Sequence, residues 1–100
     1  MIKFFLFKLT DIIDKWNIHH NFACGNYKWI SRLVDNGEDH SDTQISSLEE
    51  CINHCETLDY CTAVEFFSVH GYKVCILFEY CNDLVEVIRF DFTNELAILA

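Results

Sequence analysis

The chain contains no proline, only three glycines and one methionine, and just seven lysines and arginines against sixteen aspartates and glutamates in 100 residues. Without proline and with little glycine, its corners fall to Asn, Asp, Ser and His, whose side chains bond locally to the main chain. The shortage of basic residues, and the absence of any cluster of them, excludes a nucleic-acid surface, since a net charge of -9 repels phosphate. The same field disfavours docking on an anionic membrane. No stretch approaches the roughly 18 consecutive apolar residues of a membrane span. No Asn-x-Ser/Thr acceptor for N-glycosylation occurs, and there is no Cys-x-x-Cys pair.

What is present is a hydrophobic fraction of 51%, an aromatic fraction of 15%, and six cysteines. This composition fills one core, excludes intrinsic disorder, and fits a single domain at this length. An even, high cysteine count points to disulfides and an oxidising compartment, hence to a secreted or extracellular protein. The start of the chain lacks a clean secretion signal. In MIKFFLFKL, Lys8 cuts the apolar run Phe4 to Phe7 short of a normal signal core. A degenerate or lost signal, or a domain excerpted from a longer protein, is expected.

Two units are expected, a segment 1–20 and a disulfide-stapled domain 21–100. Phe5, Leu9, Ile12, Ile13 and Trp16 recur at helical spacing, which predicts an N-terminal amphipathic helix or remnant targeting segment over 1–20. Tyr27 to Val34 (YKWISRLV) has the aromatic and β-branched character of a strand, and Asp35-Asn36-Gly37 signals a turn. The polar stretch Asp35 to Asp42 lacks the alternating order of a calcium loop and reads as solvated.

Ser46 and Ser47 each have a glutamate three residues on, Glu49 and Glu50, a doubled capping-box pattern. Leu48, Cys51, Ile52 and Cys55 then fall on one face of a short helix ending near Thr57. Thr62 to Val69 and Tyr72 to Glu79 are strand-like runs joined by His70-Gly71, a two-residue hairpin turn. Leu84 to Phe92 (LVEVIRFDF) reads as a further strand.

The segment SLEECINHC, the link CETLDYC, the apolar strand CTAVEFF and the strand VCILF together resemble the PAN/apple domain family. Residues 24 to 81 fall within the resemblance, most specifically 47 to 78. It implies an α+β fold in which an antiparallel sheet cradles one short helix. Carried over by position, it implies bridges from Cys51 to Cys75, from Cys55 to Cys61 and from Cys24 to Cys81. Spacing alone leaves the connectivity open, although Cys51 and Cys55, one turn apart, suit partners on a strand and on the loop leaving the helix. The loop-entropy relation assigns the two inner bridges about 3.5 and about 2.4 kcal/mol.

The resemblance also implies a non-catalytic recognition module for protein-protein or protein-carbohydrate contacts, with no cofactor. Its ligand, a protein or a glycan, is not identified by the sequence. A structural domain of a larger extracellular protein is an alternative. A zinc-binding intracellular domain is a further one, built from Cys51, Cys55 and Cys61 with His54, His40 or His70, but the paired knuckles of structural zinc sites are missing. No cysteine is obviously spare to act as a nucleophile. Glu49 and Glu50 sit where carboxylates favour a helix N-terminus rather than in a pocket. Phe66, Phe67, Tyr72, Phe78 and Tyr80 alternate along the hairpin, so some face away from the core, where they form a binding surface or are covered by a terminal element. Trp16 and Trp29 share that ambiguity.

Overall fold

A computed structural model of the chain describes residues 15–35, 45–87 and 94–100. Five strands and one helix follow in the order β1 (Trp16–His20), β2 (Phe22–Asp35), α1 (Leu48–Glu56), β3 (Ala63–Val69), β4 (Tyr72–Glu86) and β5 (Asn94–Leu99). The strands form one sheet, ordered β1-β5-β3-β4-β2, and every neighbouring pair is antiparallel. The class is α+β, a mostly antiparallel sheet with one short helix and three disulfides.

The helix starts where the serine–glutamate pattern places it. Ser47, in extended conformation, is the N-cap and its hydroxyl accepts from the Glu50 N–H. Glu50 reaches back to Ser46, accepting from its N–H at 2.7 Å and from its hydroxyl. These bonds satisfy donors that the first helical turn leaves free. The last turn closes on Thr57, whose hydroxyl donates to the His54 carbonyl at 2.7 Å. Cys51, Ile52 and Cys55 are the buried face.

The sheet's pleat separates two cores. On the helix side, Val64 and Phe66 of β3 and Cys75 and Leu77 of β4 pack with Trp16, Ile45, Cys51, Ile52, Cys55, Cys61 and Ala97. On the other side, Ala63, Phe78 and Leu96 pack with Cys24 and Cys81. Period-two alternation produces this division. The hairpin joining β3 to β4 turns on His70 (φ 51°) and Gly71 (φ 81°), as a two-residue type I′ turn requires, with Val69 paired to Tyr72.

Trp16–His20 corrects the expectation of a helix running to residue 20; residues 1–14 lie outside the described residues. Those five residues form an edge strand instead, pairing from Trp16↔Leu99 to His20↔Glu95. Trp16 and Ile18 pack into the helix-side core while Asn17 is exposed, a period of two. The reason is tertiary: β5 presents an open row of donors and acceptors, and a strand satisfies them where a helix would not. A second correction concerns Leu84 to Phe92. Leu84–Glu86 continue β4 in one long strand, and 88–93 lie outside the described residues, as do 36–44 with most of the expected Asp35 to Asp42 loop.

One connection dictates the overall shape. β1 and β2 stand at opposite ends of the strand order, yet only Asn21 separates them. A flat five-stranded sheet would hold its edges about 19 Å apart, whereas His20 to Phe22 spans at most about 7 Å. The sheet must therefore curl. The β2–β4 ribbon bends where its register slips, between Cys24 and Asn26 and again between Lys28 and Ser31, and returns over the face opposite the helix. Asn21, at φ 66°, closes the turn by donating to the Asn94 carbonyl at 2.6 Å and accepting from the Val87 N–H at 2.8 Å. Asn94, the buried polar residue of the described set, donates its amide to the Phe22 carbonyl at 2.5 Å.

Candidate functional site

The returning ribbon leaves an open groove on the face away from α1, with a volume of about 820 Å³. Its floor is the sheet itself, through Glu65 of β3 and Ile76 and Phe78 of β4. β2 supplies the wall and rim, including Tyr27, Trp29 and Arg32. Trp29 is 59% exposed and Tyr27 47%, large apolar surfaces for an edge strand. The Tyr27 ring is nevertheless fixed, since it packs on Phe78 with ring centroids 5.0 Å apart at an interplanar angle of 57°.

Glu65 is positioned by its place in the pleat. It lies between Val64 and Phe66, which face the helix-side core, so its own side chain emerges on the groove side. There the Cys24 N–H donates to Glu65 Oε1 at 3.3 Å, and the Asn94 side chain bonds to the same carboxylate. Burial pushes the Glu65 carboxyl above the usual carboxylate range, with these two bonds pulling against it. The ion pairs of the described residues are Lys15–Glu56 at 3.5 Å and Lys28–Glu79 at 3.2 Å, and the His20 imidazole lies 2.9 Å from the Glu95 carboxylate; Glu65 and Arg32 are in none of these contacts.

All six cysteines are paired. Cys51 of α1 is bonded to Cys75 of β4, fastening the helix to the sheet, and Cys55 is bonded to Cys61 in the link between α1 and β3. Cys24 is bonded to Cys81, which pins the returning ribbon across its own two strands. With every thiol consumed, no cysteine thiolate remains for zinc or for nucleophilic attack. Among the described residues no group of three or more His, Cys, Asp or Glu side chains is placed to hold a metal. No helix of the described residues is long and apolar enough to cross a membrane.

Other residues singled out in the sequence are dispersed. Glu49 is exposed and Glu50 is committed to Ser46, whose hydroxyl and N–H hold its carboxyl below the usual range. His54 lines a shallow depression with Glu50, Asn53 and Thr57, far along the chain from His70 in the hairpin turn, and His40 lies outside the described residues. Of the hairpin aromatics, Phe66 is in the helix-side core and Phe78 in the opposite one, Phe67 is half-buried, and Tyr72 and Tyr80 are exposed. The two tryptophans separate cleanly, Trp16 buried and Trp29 on the groove.

Glu65, Tyr27 and Arg32 were not identifiable as neighbours from their spacing. The one sequence signal was Glu65 itself, a charge inside the apolar run TAVEFFSV, which period-two reading sends to the opposite face from Val64 and Phe66. Comparison of the chain with protein-family models, curated proteins and solved structures finds no match in any of the three.

Proposed function

We propose that the protein is a non-catalytic extracellular recognition module, of the PAN/apple kind that its helix and hairpin cysteines resemble, and that its ligand is a protein or a glycan. The observation that carries this reading is the groove opposite the helix, where Trp29 and Tyr27 present aromatic surface beside a carboxylate and a guanidinium. Exposed aromatics flanked by a few polar groups are the usual make-up of a binding hot spot. Three disulfides support an oxidising, extracellular setting. The proposed role is binding and involves no chemical step, with Glu65 the one carboxylate among the described residues that line the groove.

The test is a glycan array together with partner capture, using the oxidised chain and a Trp29→Ala variant. A ligand retained by the wild type and lost by the variant is the expected result. Ligands held equally by both, or six free thiols with bound zinc by non-reducing mass spectrometry, would overturn the reading. The exposed aromatics also favour a second reading, in which the chain is a structural domain of a larger extracellular protein and this face packs on its neighbour.

A further inference from the structure

The half-buried carboxylate of Glu65 has neutral donors, the Cys24 N–H and the Asn94 amide, but no cation of this chain within ion-pair distance among the described residues. A charge held this way lacks its natural complement, and a ligand cation is the group that would supply it. The same groove is lined by two aromatic side chains, one of them the most exposed large hydrophobic residue of the described set, and aromatic faces attract guanidinium and ammonium groups. The chain as a whole carries -9, a field that gathers cations and speeds their encounter. Arg32 is the one cation among the described residues lining the groove, and it opposes a second cation there.

We propose that the groove seats a basic side chain, arginine or lysine, from an exposed segment of a partner protein, stacked on Trp29 and directed at Glu65. This rests on the recognition reading and selects its protein arm. A guanidinium placed here would stack on the indole and meet the carboxylate as a charge-assisted hydrogen bond. A neutral saccharide would use the aromatic face but would gain little from the uncompensated charge.

The test uses the oxidised full chain and a capped Ala-Arg-Ala peptide, compared with the same peptide carrying neutral citrulline, followed by NMR shifts of the Trp29 indole. The arginine peptide is expected to bind about tenfold more tightly than the citrulline peptide, and less tightly as salt is raised. Glu65→Gln is expected to remove about tenfold of that affinity, and Arg32→Ala to increase it by several-fold. Should Glu65→Gln fail to fold, as judged by its disulfides and near-UV CD, Trp29→Ala carries the test, since that side chain is exposed. Equal binding of the two peptides, or unchanged affinity in Glu65→Gln or Trp29→Ala, overturns the proposal. A glycan that binds through Trp29 while both peptides are silent overturns it too but leaves the recognition reading standing, whereas silence from every ligand removes both.

Discussion

The backbone N–H of Cys24 donates to Oε1 of Glu65 across the fold, 41 residues away, tying the returning β2–β4 ribbon to the central strand of the sheet. The bond joins the same two parts of the fold that the second core packs together, and Asn94 of β5 adds a bond to the Phe22 carbonyl beside it. Glu65 is thus a structural clasp as well as a groove residue.

The burial of Glu65, which outweighs its bonds from Cys24 and Asn94, gives it a pH-dependent contribution to stability. Burial raises the folded-state pKa of Glu65 above its unfolded value, so its favourable contribution is complete below the ordinary carboxylate range and declines as pH rises through the folded value. Glu65→Gln retains an acceptor for Cys24 and removes the titration. Urea unfolding of both proteins from acid to neutral pH should show the wild type losing stability relative to the variant as pH increases; parallel curves would contradict the assignment.

Removing Cys24 and Cys81 together, as a double alanine variant, should act locally. Their loop separation of 57 residues corresponds to about 4 kcal/mol in the loop-entropy relation. Hydrogen exchange should accelerate first in 22–27 and 80–87, while α1 and β3, fastened by Cys51–Cys75 and Cys55–Cys61, remain protected. Uniform acceleration throughout the chain would mean that the ribbon and the helix-side core are one cooperative unit.

At the helix start, Ser47→Ala should cost about 1 kcal/mol by loss of the N-cap bond to the Glu50 N–H. Glu50 titrates with the opposite sign to Glu65. Its folded pKa is lowered by the Ser46 hydroxyl and N–H, so its contribution is present above the ordinary carboxylate value and lost as pH falls through the folded one. Acid titrations of wild type and Glu50→Gln, read by thermal melting, should diverge at neutral pH and converge in acid.

Gly25 and Gly71 make opposite demands. Gly71 has φ 81° and open space around it, so alanine there is strained by about 1 kcal/mol, while asparagine, which accepts that conformation, is tolerated better. At Gly25 an added Cβ would lie 2.6 Å from Val85 Cγ2 and 2.9 Å from Asp83 Oδ2, so the obstacle is contact with the opposite strand and asparagine is no remedy. Melting temperatures of the four variants separate these causes: asparagine should outperform alanine at position 71 and not at position 25.

Trp16 is 2% exposed and its indole N–H has no acceptor among the described residues. Trp16→Phe removes that unsatisfied donor with part of the ring, so it should cost well below the roughly 3–5 kcal/mol of Trp16→Ala. Denaturant midpoints of the two variants measure the difference.

Local signals made the capped helix and the β3–β4 hairpin legible. Ser47 with Glu50 marks a helix start because their side-chain oxygens satisfy N–H groups at the helix N-terminus that have no partner within the helix. His70-Gly71 marks a tight turn because both residues accept positive φ. The spacing of Leu48, Cys51, Ile52 and Cys55 likewise placed both helix cysteines on the buried face. Trp16–His20 escaped that reading, since five residues carry little periodicity and the need of β5 for a partner is invisible in them. Leu84–Glu86 escaped it because the ribbon's continuity through the bulges depends on pairing with Phe22 to Cys24 some sixty residues earlier.

The groove belongs wholly to tertiary structure. Its wall comes from β2 and its floor from β3 and β4, and the wall turns over the floor because the single-residue link at Asn21 draws the two edges of a five-stranded sheet together. By itself the sequence determined the short capped helix, the hairpin and which of their side chains face inward, all set by contacts within a few residues. The curl of the sheet, the return of the ribbon over Glu65 and the exposure of Trp29 were decided by long-range pairing, where geometric closure rather than local preference selects the conformation.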